Sequence, residues 1–240
     1  MKVRGFTLVE MVLTMVVGSI LVLGIAGFVE LGSKGYADTV ARQKIQTQAK
    51  FVMEKMAREL RHAVPNSFAV TSSTSKQCVS FYPIVYSGFY ALSGYDDKTL
   101  QFLIGNDNPP LSYNNLKMII NPTTQADFNN GIGLEDKVYV TTDPDTGDDI
   151  NNRDLPSPLT SQSVSNRQYI YNQLVSYCLN FSTDSITRNS IQVADSVASG
   201  EFSYSPPTLQ RGGVVHLALT FAQNGESSHF ETDIQVLNVP

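Results

Sequence analysis

The longest uninterrupted apolar segment lies near the N-terminus. Met11–Val29 is nineteen residues long and contains neither a charge nor a proline. At about 1.5 Å per residue, a helix of that length spans roughly 28 Å, close to the roughly 30 Å hydrocarbon core of a bilayer. Lys2 and Arg4 precede the segment, and Glu30 follows it before the next cation, Lys34. The positive-inside rule therefore predicts a cytoplasmic N-terminus and a remainder on the other side of the membrane.

A second helical pattern follows the apolar segment. Apolar residues recur at spacings of three and four, as on one face of a helix, and charged residues fill the other faces. This apolar stripe comprises Ile45, Ala49, Val52, Met56, Leu60 and Ala63. Pro65-Asn66 then supplies a stop signal. The two patterns together predict one helix from Phe6 to Val64, about 88 Å long, whose second half packs its stripe on a sheet.

After Pro65 the pattern changes to short β-type runs bounded by turn residues. The predicted strands are Cys78–Tyr82, Thr99–Ile104, Lys137–Val140, Val214–Phe221 and Phe230–Val239, and Tyr169–Phe181 is a strand or a helix–strand join. Asn224-Gly225 predicts a hairpin between the last two strands. Gly105–Pro110, Phe89–Asp97 and Thr141–Ser165 are expected to be loops, the last being the longest irregular stretch. The expected fold class is α+β, with the long helix packed on a mostly antiparallel sheet.

Three interpretations of the N-terminal segment compete. A secretory signal peptide would be cut near the small-residue triplet Gly24-Ile25-Ala26, but the apolar run is long for a signal. An uncleaved anchor explains the length and leaves the Gly5-Phe6 junction and Glu10 without a reason. A lone carboxylate at the entrance to a membrane segment costs several kcal/mol, by estimates that differ widely, so Glu10 requires a function. The third interpretation rests on a known family and accounts for all of these features.

The segment Gly5–Glu10, followed by an apolar stretch, resembles the processing site of type IV pilins and of the pseudopilins of type II secretion. The resemblance implies that a prepilin peptidase cuts between Gly5 and Phe6 and that Phe6 becomes the N-methylated N-terminus. It also implies that Glu10 pairs with the N-terminus of a neighbouring subunit. An amine in apolar surroundings requires such a partner, because an unpaired buried charge costs far more than a paired one.

The same resemblance divides the chain into four parts. Residues 1–5 would be a cytoplasmic leader, 6–31 a transmembrane and fibre-core helix, 32–64 its amphipathic continuation, and 65–240 a periplasmic β-rich domain. Overall length, the helix end at Arg58–Arg61 and the closing segment Val236–Pro240 look like the larger minor pilins. Within these, the PilW and GspJ-like group is most similar, including the MshO-like proteins of the mannose-sensitive haemagglutinin (MSHA) pilus.

The implied function is that of a minor pilin that helps to initiate or cap a type IV pilus. Its expected partners are the prepilin peptidase, other minor and major pilins, and the bacterial inner membrane. A type II secretion pseudopilin uses the same helix and the same cut, so the sequence leaves both systems open. A further alternative adds a binding role, in which Phe89, Tyr90 and Tyr95 stack on sugars, although aromatic residues of the core explain them equally well.

The net charge and the two cysteines bear on nucleic-acid binding and on disulfide formation. The net charge is −5 and no basic stripe is present, so nucleic-acid binding has no electrostatic support. The two cysteines, Cys78 and Cys178, are expected to form a disulfide in an oxidising periplasm, the alternative being two buried free thiols.

The densest group of carboxylates lies in Asp143–Asp149. Calcium prefers oxygen ligands on a flexible loop, so Asp143, Asp145 and Asp149 are candidate ligands, although the spacing is not that of an EF-hand. The alternative is a solvated acidic turn, since Asp, Pro and Gly favour turns. No other cofactor is expected. No hydrolase, zinc-protease or phosphate-loop motif is present, and the Ser73-x-x-Lys76 match in a Ser/Thr-rich stretch is close to chance, so an enzyme is not expected.

Overall fold

The computed structural model describes residues 5–105, 112–208 and 211–236. Its longest element is helix α1, Leu8–Arg61, which has 54 residues and is about 81 Å long. The predicted continuous helix is confirmed, with ends slightly inside the predicted ones. It stops before Val64 because the chain there turns onto a neighbouring segment, where the Val64 N–H donates to the Tyr82 carbonyl oxygen at 2.8 Å.

Within the described residues, fifteen strands form three sheets in which every strand pair is antiparallel. The strands are β1 (Ala69–Ser72), β2 (Lys76–Phe81), β3 (Ile84–Ser93), β4 (Thr99–Ile104), β5 (Lys117–Ile119), β6 (Ile132–Gly133), β7 (Val138–Thr142), β8 (Asp149–Asp154), β9 (Arg167–Tyr171), β10 (Val175–Asn180), β11 (Ser185–Arg188), β12 (Ile191–Ala194), β13 (Val197–Ser205), β14 (Val214–Gln223) and β15 (Glu226–Gln235). Short 3-10 helices span Tyr95–Asp97 and Gln125–Asn130.

The strand order defines the three sheets. The five-stranded sheet has the order β1-β2-β10-β11-β12, and the three-stranded sheet has the order β13-β14-β15. The seven-stranded sheet has the order β6-β5-β9-β3-β4-β8-β7. The expected α+β class, a long N-terminal helix on mostly antiparallel sheets, is therefore confirmed, although the expectation was of one sheet.

The main core lies between the second half of α1 and two of the sheets. Every member of the predicted apolar stripe is buried, and Ala41 extends the stripe by one more turn. The stripe meets alternate residues of the five-stranded sheet, such as Val79 and Tyr177, and of the three-stranded sheet, such as Leu217 and Leu219. The helical period of 3.6 and the strand period of two thus supply matching apolar faces.

Ion pairs flank this core at both ends of the stripe. Arg42 lies 2.8 Å from Glu226 at the tip of the β14–β15 hairpin, where both side chains are exposed. At the other end, the Arg188 guanidinium donates to Glu59 at 2.9 Å beside the buried Tyr177. Burial raises the pKa of the Tyr177 phenol, and the neighbouring Glu59 carboxylate raises it further, so the phenol stays neutral. Since exposed pairs contribute little, burial of the stripe dominates the attachment of the helix.

The seven-stranded sheet forms a second lobe that is inserted between two paired strands. Phe81, the last residue of β2, faces Val175, the first residue of β10, so residues 82–174 leave and re-enter the five-stranded sheet at one point. All the strands of the seven-stranded sheet lie within that segment. The lobe has its own core, which includes Leu100, Phe102 and Ile170.

A small aromatic cluster joins the lobe to the end of the helix. Tyr82 stacks on Phe128 with ring centroids 4.7 Å apart, and Val64 is buried in the same cluster. The Tyr171 hydroxyl donates to the Phe128 carbonyl oxygen at 2.8 Å. Edge-to-face and stacked ring pairs of this kind add to burial, so the junction is a packed contact rather than a loose linker.

Several loop and strand predictions require correction. Thr141–Ser165 is not wholly irregular, because it contains the end of β7 and all of β8, which pair with each other. The strand β8 is polar because its side chains form hydrogen bonds across the sheet. The Asn152 amide, for example, donates to Thr141 Oγ1 of β7 at 2.8 Å. Phe89–Asp97 is mostly the end of β3 and a 3-10 helix, since Phe89 pairs with Leu103 of β4.

Other predicted boundaries shift without changing the type of element. Tyr169–Phe181 contains the end of β9 and all of β10, which belong to different sheets. The Asn224-Gly225 hairpin is confirmed, and both of its strands are longer than predicted on the turn side. Of the predicted loop Gly105–Pro110, residues 106–110 lie outside the described residues, as do the last residues of the predicted strand Phe230–Val239.

The stripe gives a direct test of what holds the helix to the sheets. Leu60→Ala should lower the free energy of unfolding by about 2–5 kcal/mol, because it opens a cavity in a fully buried position. Phe51→Ala is the matched control on the same helix, because Phe51 is 58% exposed and the change should stay within about 0.5 kcal/mol. Denaturant unfolding of the detergent-solubilised chain measures both, and equal losses would contradict the assignment.

Candidate assembly site

The first residues of the described chain form the start of α1. Gly5, Phe6 and Thr7 precede the helix, and the Phe6 side chain is 77% exposed. Thr7 Oγ1 accepts a hydrogen bond from the Glu10 N–H at 3.4 Å, which makes Thr7 the N-cap. Glu10 lies in the first turn, where the helix dipole favours a carboxylate. The cap therefore presents the predicted cleavage junction and Glu10 together at one exposed end of the molecule.

Thr7 is not among the predicted site residues. A Thr three positions before a Glu at the start of an apolar run is a known N-terminal helix signal. That spacing, Thr7-Leu8-Val9-Glu10, was present in the sequence. The signal identifies the N-cap because the Thr7 hydroxyl oxygen accepts a hydrogen bond from a backbone N–H that has no partner inside the helix.

The first half of α1 is an apolar surface without cover in the monomer. Among the described residues, α1 is the one helix long and apolar enough to cross a membrane, and none of its most apolar eighteen-residue window is buried. Phe28 and Leu31 are 78% and 74% exposed. An apolar surface of this size marks a membrane or protein contact.

Hydroxyl side chains in this half are satisfied by the helix itself. Thr14 Oγ1 donates to the Met11 carbonyl oxygen at 2.9 Å, and Ser19 Oγ donates to the Val16 carbonyl oxygen at 2.8 Å. Ser33 Oγ bonds the carbonyl three residues before it at 3.0 Å. Burying an unbonded hydroxyl costs free energy, and these local bonds remove that cost. These hydroxyl groups can therefore leave water without finding new partners.

The predicted disulfide between Cys78 and Cys178 is present, with Cα atoms 4.0 Å apart. The two residues face each other directly in the β2–β10 pair. Their neighbours Val79 and Tyr177 point into the main core, so the disulfide lies on the other face of the five-stranded sheet. It closes the base of the second lobe covalently.

The acidic segment forms the turn between β7 and β8. Asp143 Oδ1 accepts hydrogen bonds from the N–H groups of Asp145 and Thr146, at 2.8 and 3.3 Å. Asp149 Oδ1 accepts one from Thr142 Oγ1 at 3.2 Å. Across the described ranges, no group of three or more His, Cys, Asp or Glu side chains is placed to hold a metal ion. Calcium binding by Asp143, Asp145 and Asp149 stays a prediction, and the hydrogen bonds shown are those of a structured turn.

Two of the three aromatic residues proposed for sugar stacking are exposed, and the third is buried. Phe89 is 57% exposed beside Leu103, and Tyr95 is 89% exposed on the 3-10 helix. Tyr90 is buried in the core of the lobe, where its hydroxyl accepts the Ser163 N–H at 2.9 Å. Tyr90 therefore has a structural role, and the sugar-binding hypothesis loses one of its three members.

Comparison with known proteins identifies the N-terminal segment. Residues 1–26 match the prokaryotic N-terminal methylation motif. The searches of curated proteins and of solved structures each found no match. The motif and the architecture support a type IV pilin-like protein, and the motif implies processing by a prepilin peptidase and assembly with other pilins. Such a motif indicates a structural protein rather than an enzyme.

The disulfide should stabilise the fold through the loop that it closes. For the sequence separation of 100, the chain-entropy treatment gives up to about 4–5 kcal/mol, and measured values are often smaller. Replacing both Cys78 and Cys178 by Ser should lower the free energy of unfolding within that limit. Reductant should destabilise the native chain and leave the double variant unchanged. A native chain indifferent to reductant would contradict a stabilising disulfide.

Proposed function

We propose that this protein is a minor pilin of a type IV pilus of the MSHA type. In this proposal it is inserted in the bacterial inner membrane with its C-terminal domain in the periplasm. The peptidase cuts between Gly5 and Phe6, and the mature chain joins other minor pilins to initiate or cap the fibre. The observation that supports this best is the division of α1 into an uncovered apolar half and a half fixed to two sheets.

The division of α1 explains how one chain would serve both in the membrane and in a fibre. The second half of the helix is held by the stripe, so the globular part fixes the direction in which the first half projects. The hydroxyl groups of the projecting half already have partners within the helix, so among the polar groups described above only the Glu10 carboxylate requires a new one. Moving it from lipid to a bundle of like helices then depends on close side-chain packing rather than on the hydrophobic effect.

Glu10 would set the register of that bundle. Cleavage creates a positive amine on Phe6, which has to enter an apolar environment with the helix. A carboxylate from a neighbouring subunit would neutralise it, and an unpaired amine or carboxylate would be strongly unfavourable there. Because Glu10 lies exposed in the first turn, it is available to the neighbour and adds nothing to packing within its own subunit.

The cleavage site can be tested by one substitution. Gly5→Leu should leave a full-length, membrane-bound precursor, because the side chain blocks the junction that the peptidase requires. Gly18→Leu is the matched control, since a Cβ at either glycine meets no atom within 4 Å. Gel mobility and N-terminal sequencing report the result. A mature native chain that begins anywhere but Phe6 would overturn the processing assignment.

The register role predicts a defect in assembly without a defect in insertion. Glu10→Gln keeps the size of the side chain and removes its charge, so cleavage and insertion should be normal while incorporation into pili falls, because the partner amine is left unpaired. Glu30→Gln removes the other carboxylate of the apolar half and should assemble normally. Co-purification with other minor pilins and a pilus count measure both. Undiminished assembly of Glu10→Gln would exclude the register role.

A deletion strain separates a pilus protein from a secretion pseudopilin. Loss of surface pili with normal export of folded proteins supports the proposal. Loss of exported proteins with normal pili would assign the chain to type II secretion instead. Complementation with the native gene, and with the Glu10→Gln variant, connects the phenotype to the helix rather than to a neighbouring gene.

A further inference from the structure

The strand β15 leaves one edge of the three-stranded sheet open. It is ten residues long and pairs with β14 along its whole length, from Glu226 to Gln235, without a bulge. It contains no proline and no lysine, which are common protections of sheet edges, and its charged residues are the carboxylates Glu226, Glu231 and Asp233. A long and regular edge is a template for another strand.

The pairing pattern shows which groups the edge offers. Asn224-Gly225 is a two-residue turn, so Gln223 and Glu226 form a hydrogen-bonded pair, and such pairs recur at every second residue. The intervening residues Ser227, His229, Glu231 and Asp233 therefore direct their backbone N–H and C=O groups away from β14. Over the described parts of the chain, no hydrogen bond to these outward groups is formed.

The opposite edge of the same sheet is protected. On β13, the Gln77 side chain donates from Nε2 to the Phe202 carbonyl oxygen at 3.1 Å and accepts from the Phe202 N–H at 2.9 Å. A side-chain amide thus occupies the position of the next strand on that edge. The contrast between the two edges makes β15 the side at which the sheet can grow.

A groove lies between this open edge and the helix. Its volume is about 410 Å³, and its lining includes Met53 and Ala57 of α1 and Phe230 of β15. Lys50 and Glu54 of α1 and Glu231 and Thr232 of β15 also line it. Phe230 points toward the helix, so an added strand would direct every second side chain into the groove and the others to the opposite face. The apolar part of the lining, Met53, Ala57 and Phe230, favours apolar side chains at the first set of positions.

The opposite face is acidic. Glu231 and Asp233 project there and are 61% and 71% exposed, and the imidazoles on the same face contact them, with His216 2.7 Å from Asp233 and His229 3.7 Å from Glu231. A second copy of β15 would bring the same carboxylates together, and the whole chain already carries a net charge of −5. Charge complementarity instead favours a strand with basic residues on that face.

We infer that β15 is a docking site for an extended strand of a partner protein in which apolar and basic residues alternate. The partner strand hydrogen-bonds to the outward groups of Ser227, His229, Glu231 and Asp233. Its apolar side chains fill the groove against Met53 and Ala57, and its basic side chains face Glu231. The inference concerns the globular part of the chain and does not depend on the proposed pilus role.

Binding of synthetic octapeptides to the detergent-solubilised chain tests this site. The probe is a fluorescent peptide of alternating lysine and valine, and fluorescence anisotropy measures its affinity. A peptide with the same composition, four lysines followed by four valines, should bind about tenfold more weakly or worse, since it cannot place both sets of side chains. A peptide of alternating glutamate and valine should not bind. Equal affinity for the two lysine peptides would overturn the inference.

One backbone substitution separates strand addition from simple charge attraction. His229→Pro removes an outward N–H and leaves the bonds to β14, and it should weaken binding about tenfold, which corresponds to about 1.4 kcal/mol. His229→Ala is the matched control, because it loses the same imidazole and keeps the N–H, and it should bind within about threefold of the native chain. If the proline variant binds as well as the alanine variant, the site is not a strand edge.

A second variant keeps the test decisive if the proline variant does not fold. Ala57→Phe should fill the groove and weaken binding of the alternating peptide by a similar factor, while circular dichroism confirms an intact fold. Unchanged binding by a folded Ala57→Phe variant would contradict the groove assignment.

Light scattering without peptide gives one further outcome. A native dimer that becomes a monomer in the His229→Pro variant would replace the basic partner by a second copy of this chain.

Discussion

The burial of one apolar stripe on α1 is the interaction on which the rest of the structure depends. Each large side chain of the stripe contributes about 1.5–3 kcal/mol by leaving water, whereas an exposed ion pair such as Arg42–Glu226 contributes about 0–1 kcal/mol. Two sheets share the stripe, so neither the five-stranded nor the three-stranded sheet has a complete core without the helix. The helix is therefore both the anchor of the molecule and part of its folding core.

This arrangement places opposite demands on the two halves of one helix. The second half satisfies its apolar face within the chain, and the first half leaves its apolar surface for a bilayer or for other helices. The change occurs near Ala41, the first buried residue of α1. No hinge is needed between the halves, because both use the same uninterrupted helical backbone, and a force or a rotation applied to one half is transmitted to the other.

The long helix and the last hairpin could be predicted from the sequence, because each depends on a pattern within a short segment. The continuous helix, its apolar stripe and the Asn224-Gly225 hairpin each rest on spacings of a few residues, and the structure confirms all three. The pairing of Cys78 with Cys178 was expected from composition and compartment, and the β2–β10 register supplies the geometry that makes it possible.

Features that depend on distant pairing could not be predicted in the same way. The strand β8 carries polar side chains that bond to Thr141 and Tyr113, so it lacks the apolar alternation that marks a strand. The chain passes from the seven-stranded sheet to the five-stranded sheet between Tyr171, the end of β9, and Val175, the start of β10. No local spacing encodes which sheet each of these strands joins. Tyr90 and Phe89 are adjacent in sequence, yet one is buried and the other exposed, because a strand alternates its faces.

The covalent closure at the base of the second lobe also has a mechanical consequence. When a chain is pulled from its two ends, a segment enclosed by a disulfide cannot lengthen, because the load passes through the sulfur–sulfur bond. Cys78 and Cys178 are 100 positions apart, which corresponds to about 330–360 Å of extended chain. Unfolding under tension would therefore stop at this bond and leave the lobe folded. The end-to-end length of the stretched molecule is then much shorter than the number of its residues suggests.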